Sequence, residues 1–276
     1  MLGIVPLLCY GRGMDLSLAG KTAVVTGGSK GVGLAVVRAL LAEGARVVTG
    51  SRTVTPELAQ TAAVPVTVDL ATARGAAELV ERARAHLGGI DLLINNVGVG
   101  DPERLVDGAV RPVAELPDAD WTDAFELTFY SALRVSRAAL PSLVERRGVI
   151  VNVSSAGAHA VTAGPVTYNV AKAALNALTK VIAEQYGGQG VRAITVSPGP
   201  VSTAVWTDPD GFIGRVGRRQ GLDHETFAAQ LQQSLGASTG RISTPDEVAR
   251  LVVFAAAPNN INGAELIVDG GLLKHA

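Results

Sequence analysis

Residues 22–33, TAVVTGGSKGVG, join a short β-branched run to a glycine-rich turn and then to a segment with helical spacing. Residues 22–26 predict a buried strand, and residues 32–43 predict a helix closed by Gly44. Glycines in such a turn let the backbone approach a pyrophosphate, whose charge is favoured at a helix N-terminus. The spacing here is G-x-x-x-G-x-G, whereas other dinucleotide-binding folds use G-x-G-x-x-G. The stretch predicts a phosphate-binding loop, with an ordinary tight strand–helix turn as the alternative.

Strands and helices alternate along the rest of the chain. Strands are predicted at 46–49, 64–68, 90–94, 149–153, 191–196 and 265–268. Helices are predicted at 71–87, 121–144, 166–186 and 245–256. Strands that are apolar on both faces and separated by helices indicate an α/β fold, with a parallel sheet covered on both sides.

No composition break or repeat divides the chain, so one domain is predicted over residues 14–276. Residues 97–117 and 201–240 are predicted to be irregular and to lie beyond the carboxyl ends of strands, where ligands bind in such sheets. We expect residues 201–240, the lid segment, to close over the substrate. Residues 1–13 lack a basic start and an A-x-A cleavage pattern, and they are predicted to be an upstream extension or a misassigned start before Met14.

Composition excludes several classes of function. The net charge is −1 without a long basic block, so a nucleic-acid partner is not expected. Cys9 is the only cysteine, which rules out an intramolecular disulfide and cysteine-based metal sites, and no metal is predicted. No apolar run approaches the ~20 residues that span a bilayer, so we expect no membrane partner and a cytoplasmic location.

The end of the second predicted strand indicates which nicotinamide cofactor is used. A carboxylate at that place binds the ribose 2′-hydroxyl of NAD, whereas a basic residue suits the 2′-phosphate of NADP. The sequence there is Thr49-Gly50-Ser51-Arg52, without an acid, and Lys30 in the glycine loop adds a second cation. The pattern predicts NADP(H), unless both cations are simply solvated surface groups.

Three side chains predict an acid–base site. Tyr168 and Lys172 are four residues apart on a predicted helix and share one face, while Ser155 follows the fifth predicted strand. Hydride transfer to a carbonyl needs a proton donor for the developing alkoxide. An ammonium about 4 Å from the tyrosine contributes on the order of 4 kcal/mol, so we expect Lys172 to lower the tyrosine pKa by roughly three units before desolvation subtracts some. The serine hydroxyl is expected to hold the substrate oxygen.

Taken in order, these motifs resemble the short-chain dehydrogenase/reductase family, in particular its 3-oxoacyl-reductase-like branch. The resemblance runs from residue 16 to residue 272. It rests on TGGSKGVG at 26–33, Asp69, NNVG at 95–98, Ser155, YNVAK at 168–172, PGPVST at 198–203 and NGAELIVDGG at 262–271.

The resemblance implies a Rossmann-like, doubly wound sheet of about seven strands with helices on both faces, and catalytic roles for Ser155, Tyr168 and Lys172. It also implies that Asp69 binds the adenine amino group and that Asn95 supports the cofactor wall. The cofactor-binding positions that follow are Gly27, Ser29, Lys30, Gly31, Val32, Gly33, Ser51, Arg52, Asp69, Leu70, Asn96, Gly98, Tyr168, Lys172, Pro198, Gly199, Val201 and Thr203. Family members are commonly dimers or tetramers built on the two long helices, so a homodimer or homotetramer is expected.

The chain departs from the family pattern at two positions. The family usually has an asparagine seven residues after the tryptophan that corresponds to Trp121, and this chain has Thr128. That asparagine holds a water that links the lysine to solvent. We expect Thr128 to keep a weaker relay by bonding to the i−4 carbonyl and opening the helix slightly. Val97 replaces a usual alanine and narrows the space beside the ribose, unless the site repacks.

The substrate region gives weaker signals. The charges in 97–117 (Asp101, Glu103, Arg104, Asp107 and Arg111) are expected to be solvated. In the lid segment, Trp206, Phe212, Phe227 and His224 either face an apolar substrate or pack the segment down. Arg215, Arg218 and Arg219 either recognise an anionic carrier or form a solvated helix face. His159 is expected at the pocket rim.

The chemistry predicted is hydride transfer between NADP(H) and a small-molecule ketone or secondary alcohol. Within that class, 3-oxoacyl thioesters and secondary-metabolite ketones remain alternatives. A non-catalytic NADP(H)-binding regulator on the same fold is the rival function.

Overall fold

Seven parallel strands form one sheet in the computed structural model, which describes residues 15–98 and 102–274. The order across the sheet is β3-β2-β1-β4-β5-β6-β7, which confirms the doubly wound arrangement. The strands are β1 Thr22–Thr26, β2 Arg46–Ser51, β3 Val64–Thr67, β4 Leu92–Asn95, β5 Val149–Val153, β6 Arg192–Pro198 and β7 Glu265–Val268.

Helices cover both faces of this sheet. They are α1 Gly31–Ala42, α2 Pro56–Ala59, α3 Ala73–Leu87, α4 Pro102–Val110, α5 Asp118–Phe125, α6 Ser131–Arg146, α7 Val166–Tyr186, α8 Ala204–Thr207, α9 Phe212–Arg219, α10 His224–Leu235 and α11 Pro245–Ala256. In β1, Val25 packs toward α1 and α11, whereas Val24 packs toward α3, α6 and α7. Alternate side chains of each strand thus enter opposite cores, as buried parallel strands require.

The helix predicted at 121–144 is longer and is interrupted. It extends from α5 to α6 through a π-helical turn at Glu126–Tyr130, with right-handed helical backbone at both junctions. Thr128 lies in the middle of this turn. A π turn is an insertion into the i→i−4 bonding pattern that side-chain spacing does not reveal, which is why an unbroken helix was predicted.

Two segments predicted to be irregular contain helices. Residues 97–117 include α4, and the lid segment includes α8, α9 and α10. Val106 of α4 packs against Ile213, Val216 and Phe227 of the lid segment in a third, separate core. The prediction was wrong because glycines inside α4 and α9 masked their helical spacing. The start of α10 could have been predicted from Asp223, because aspartate is a common N-cap residue. In the structure its side chain accepts from the amide of Thr226 at the start of that helix.

The other predicted elements agree with the structure to within a few residues at their ends. The prediction for residues 1–13 lies outside the described residues, as does the charge predicted for Asp101.

Candidate active site

Most of the predicted site residues follow the carboxyl ends of β1 to β6. Because all seven strands are parallel, these ends meet along one edge of the sheet. The phosphate loop follows β1, Arg52 follows β2, Asp69 follows β3, Asn96 follows β4 and Ser155 follows β5. Sheet topology therefore gathers residues that are far apart in sequence.

The phosphate loop is held from two sides. The Thr49 hydroxyl of β2 accepts from the Gly28 amide at 3.1 Å and donates to the Val25 carbonyl at 2.8 Å. On the other side, the Asn96 amide group donates to the carbonyl oxygens of Thr26 and Gly27 at 3.1 and 3.3 Å. Thr49 was not among the predicted site residues, and its place in a TG pair ending a strand is the only sequence signal for it.

Gly33 shows why this loop needs a glycine. A Cβ at this position would overlap the carbonyl oxygen of Gly27, so α1 can begin this close to the loop only with glycine there. Val32 is half-buried beside it, and Ser29 is buried. A bare loop backbone at a helix N-terminus fits an anionic phosphate group.

Two exposed cations flank the loop. Lys30 and Arg52 are both exposed, and neither forms an ion pair with any residue of 15–98 or 102–274. Ser51 is buried, and its hydroxyl donates to the Thr53 carbonyl at 2.8 Å. The guanidinium and the ammonium therefore remain available to a phosphate ligand.

The neighbouring loops complete the cleft. The exposed Asp69 carboxylate accepts from the Ala71 amide at 3.0 Å, whereas Leu70 is buried in the core. Asn95 supports this region from below, because its amide group donates to Ser136 of α6 and to Asn152 of β5.

The loop after β6 returns to the phosphate loop. Gly31 lies against the Thr203 side chain, so the start of the lid segment touches the glycine turn. Pro198 is the last residue of β6, Gly199 packs closely against Asp269, and Val201 forms a β-bridge with Ser243. Of the PGPVST motif, Thr203 therefore lies beside the loop that was predicted to bind phosphate.

Tyr168 and Lys172 meet on the first turns of α7. The Lys172 ammonium nitrogen lies 5.5 Å from the centre of the Tyr168 ring, and its side chain is 2 % exposed. The same nitrogen donates to the Val153 carbonyl of β5 at 2.6 Å. The Ser155 hydroxyl interacts with that of Tyr168 and accepts from the Gly157 amide at 3.0 Å. The structure thus brings the three predicted catalytic side chains together.

The pKa values differ from the expectation. Burial raises the pKa of Tyr168 to about 12, with the Ser155 hydrogen bond acting in the opposite direction. Burial also lowers the pKa of Lys172 to about 7. We predicted that the ammonium would lower the tyrosine pKa, and this is wrong for the structure as it stands. The reason is that desolvation raises the tyrosine pKa and lowers the lysine pKa, so Lys172 has already lost its proton at the pH where Tyr168 titrates and cannot stabilise the tyrosinate there.

Thr128 contacts the lysine region through a glycine. Its hydroxyl donates to the Gly98 carbonyl at 3.1 Å rather than to the i−4 carbonyl that was predicted. A Cβ at Gly98 would lie only 2.7 Å from the Lys172 nitrogen, so Thr128 binds the backbone that packs on the lysine. The π turn carries the threonine toward the loop after β4, which explains why its partner is outside its own helix.

The arginines of the lid segment are engaged by carboxylates. Arg215 and Arg219 pair with Glu103 of α4, Arg219 also pairs with Asp107, and Arg218 pairs with Asp210. Of the expected solvated charges on α4, Glu103 and Asp107 therefore serve as acceptors, and recognition of an anionic carrier by these arginines is not supported.

Several aromatic and histidine side chains also have defined places. Trp206, Phe212 and Phe227 pack within the third core, and His224 contacts the Trp206 carbonyl at 2.9 Å. His159 contacts Glu265 on β7, with 2.8 Å between Nε2 and Oε1, and its place at the pocket rim stays a prediction.

No helix in the described part of the chain is both long and apolar enough to cross a membrane. Residues 15–98 and 102–274 also contain no group of three or more His, Cys, Asp or Glu side chains that could hold a metal ion.

Comparison with known proteins adds independent information. Residues 21–210 match the family described as short chain dehydrogenase. The chain is 31 % identical over 264 residues to L-fucose dehydrogenase of Mus musculus, with 92 % of this chain and 88 % of that protein covered. It is 28 % identical over 266 residues to the 3-oxoacyl-(acyl-carrier-protein) reductase of Vibrio cholerae, with 93 % and 99 % covered.

Among solved structures, the chain is similar to L-sorbose reductase from Gluconobacter frateurii, complexed with NADPH and L-sorbose. The TM-score is 0.84 at 29 % identity, and the match covers 95 % of this chain and 100 % of that one.

Proposed function

Because the chain belongs to the short chain dehydrogenase family, we propose that it is an NADP(H)-dependent oxidoreductase that interconverts a carbonyl group and a secondary alcohol. The observation that carries the proposal is the almost completely buried side chain of Lys172 beside Tyr168, with Ser155 hydrogen-bonded to the tyrosine. Burying a lysine this deeply costs stability, and such perturbed groups concentrate at functional sites.

The residues present fit the cofactor. The bare phosphate loop and the two exposed cations, Lys30 and Arg52, would hold its phosphates, with Arg52 forming a bidentate fork and Lys30 acting as a point charge. The rest of the cofactor would be surrounded by the other predicted loop residues, among them Asp69, Asn96 and Val201. When bound, NADP(H) supplies or accepts the hydride. L-sorbose reductase, which was solved with NADPH, supports this choice by similarity.

The proton chemistry falls to the protein. The Tyr168 hydroxyl donates a proton to the carbonyl oxygen during reduction, and its raised pKa keeps it protonated at neutral pH. Ser155 donates a hydrogen bond to the same substrate oxygen and orients it. Lys172, whose pKa of about 7 lets it exchange protons near neutrality, would serve the reprotonation of the tyrosine, and Thr128 would support it through Gly98.

The ion pairs of the lid segment favour an uncharged substrate. Its three arginines are paired with carboxylates, so they do not favour a phosphate-bearing carrier. The similar proteins named for L-fucose and L-sorbose act on neutral sugars, which supports a ketose, polyol or other neutral ketone. The similarity to a 3-oxoacyl reductase keeps thioesters in the panel to be tested.

The test is NADPH oxidation over ketoses, 3-oxoacyl thioesters, cyclic ketones, steroids and quinones, with NADP⁺ reduction over the matching alcohols. Tyr168→Phe is expected to lower kcat at least a hundredfold, in line with loss of a general acid. Tyr186→Phe, at the other end of α7, is the matched control and should retain activity. Full activity of Tyr168→Phe would overturn the mechanism, and NADPH binding without turnover of any compound would favour the regulator.

The cofactor preference has its own test. Arg52→Asp is expected to lower kcat/KM for NADPH on the order of tenfold to a hundredfold, because a hydrogen-bonded charge is replaced by a repulsive one, while NADH is affected much less. Arg250→Asp, also exposed and on α11, serves as the control. Equal efficiency of the unaltered protein with NADH and NADPH would refute the preference.

A cytoplasmic location stays a prediction.

A further inference from the structure

The loop that carries Ser155 has little hydrophobic anchorage. Residues 155–165, between β5 and α7, consist mainly of alanine and glycine. The largest apolar side chain in the loop, Val161, is 41 % exposed. Since buried apolar area is what normally fixes a loop, this one must be fixed by polar contacts.

One polar anchor comes from α7. The Asn169 amide group donates to the carbonyls of Val161 and Ala163, both at 3.1 Å. These bonds hold the second half of the loop to the helix that carries Tyr168. The Asn169 side chain also lies against Gly157, but neither of its hydrogen bonds reaches Ser155 itself.

The second anchor comes from the edge strand of the sheet. Nε2 of His159 lies 2.8 Å from Oε1 of Glu265, the first residue of β7, across 106 residues of sequence. A carboxylate can only accept, so Nε2 carries the hydrogen, which a neutral imidazole also provides. His159 is joined to Ser155 by a 3₁₀ turn, in which the amides of Ala158 and His159 donate to the carbonyls of Ser155 and Ala156. A fixed imidazole therefore fixes the serine.

Glu265 is itself fixed by its surroundings. The same Oε1 accepts from the Ser197 hydroxyl of β6 at 2.5 Å and from the Asn176 amide group of α7 at 3.2 Å. Its carboxylate thus joins the loop, the helix and the sheet at one point. Charge-assisted hydrogen bonds of this kind are stronger than neutral ones, so a partly exposed site can still hold its geometry.

We propose that Glu265, acting through His159, is a positioning residue that holds the Ser155 hydroxyl in place beside that of Tyr168. We call the contact between His159 and Glu265 the loop clasp. The proposal rests on the proposed function, because Ser155 is assigned there to orient the substrate oxygen. Loss of the clasp leaves the cofactor site intact and lets the serine drift, and a displacement of about 1 Å lowers turnover strongly.

The kinetic test compares His159→Ala, Glu265→Ala and the double variant with the unaltered protein. Each single variant is expected to lower kcat about tenfold with KM for NADPH within about twofold, and the double variant should resemble the singles. His159→Gln, whose amide nitrogen reaches the place of Nε2, should restore most of kcat. His86→Ala, at an exposed histidine in the last turn of α3, is the matched control, and its kcat should stay near that of the unaltered protein.

A structural readout separates this proposal from the proposed function. Hydrogen exchange of the amides of residues 157–163 is expected to accelerate at least tenfold in His159→Ala and Glu265→Ala, and this needs no substrate. Unchanged loop exchange in both variants would overturn the clasp, as would a His86→Ala variant as impaired as His159→Ala. If no compound is turned over, the proposed function fails while the exchange experiment still decides the clasp. If Glu265→Ala does not fold, His159→Ala and Glu265→Gln carry the test.

Discussion

Lys172 is a buried lysine, with its side-chain nitrogen bonded to a backbone carbonyl and almost no access to water. Burial lowers its pKa to about 7 from the ordinary value of 10.5. Between these two pH values the unfolded chain binds a proton that the folded chain does not. Stability therefore rises with pH across this window, and the cost of the buried charge is greatest below pH 7.

Replacing the lysine should remove this dependence. Lys172→Met is expected to be more stable than the unaltered protein at pH 6.5, and the difference should narrow by about 2.5 kcal/mol between pH 7.5 and 9.5, at a slope that approaches 1.4 kcal/mol per pH unit. Urea unfolding at several pH values measures it. Tyr168→Phe is the control, because the raised tyrosine pKa affects stability only above about pH 10. Parallel curves for Lys172→Met and the unaltered protein would contradict the prediction.

Thr128 offers a second test at the level of one hydrogen bond. Thr128→Val keeps the shape but leaves the Gly98 carbonyl without this donor, so we expect a loss of about 1–2 kcal/mol in unfolding free energy. Turnover should fall severalfold, with a shifted pH profile, because Gly98 packs against Lys172. Thr128→Ser should recover both. An unchanged pH profile in the valine variant would show that the threonine has no part in the proton relay.

At this scale the sequence predicts which side chains meet but not their charge states. Tyr168, Lys172 and Ser155 are found together because their spacing and the sheet topology determine it. The direction of the tyrosine pKa was mispredicted because it depends on desolvation, which spacing does not report. Glu265 was not predicted at all, since its partner His159 is 106 residues away.

Among the elements, α4 and α9 form a packed joint beside the start of α7, where Gly108 of α4 lies against Pro165 and Thr167. They come from the segments after β4 and β6, and the buried Val106 connects them with Ile213 and Val216. Ion pairs between Glu103 and the lid arginines surround this contact. Exposed ion pairs contribute little, whereas a fully buried valine contributes more, so the apolar contact should dominate.

Two substitutions on α4 separate these contributions. Val106→Ala is expected to destabilise the joint by about 2 kcal/mol, to accelerate amide exchange in α9 and to raise KM for the carbonyl substrate. Glu103→Gln should change these properties much less. Val110→Ala, an exposed valine on the same helix, is the matched control. A larger effect from Glu103→Gln than from Val106→Ala would reverse the ranking of the two contributions.

Helices α4 and α9 also show which secondary-structure elements a sequence pattern fails to predict. Strand β7 and helices α7 and α11 have the predicted bounds because strong periodicity and clear end signals coincide there. In α4 and α9, glycine occupies positions that pack closely, as Gly217 does against the Phe227 ring. Tertiary packing overrides the low helix propensity of glycine at such places.

At the scale of the whole molecule, helix α7 carries exposed apolar side chains that bear on assembly. Val170 and Val181 lie eleven residues apart on the same face of α7 and are 38 % and 46 % exposed. An apolar stripe on a long helix suits contact with a second copy, in agreement with the predicted homodimer or homotetramer.

A single charge should disturb that contact. Val181→Asp is expected to shift the molecular mass in solution toward that of the monomer, as measured by light scattering after size-exclusion chromatography, because it buries a charge at the interface. Val54→Asp is the control, since Val54 is similarly exposed but lies after β2. A monomeric unaltered protein, or an assembly unaffected by Val181→Asp, would contradict the prediction.

The order of the strands has a consequence for how the chain is made. β1 lies in the interior of the sheet, β2 and β3 extend it on one side, and β4 to β7 extend it in turn on the other. Each strand therefore meets a free sheet edge as it leaves the ribosome, and none has to be inserted between two strands already paired. The sheet can grow outward during synthesis, with the clasp residue Glu265 arriving last to complete a site whose other members are already in place.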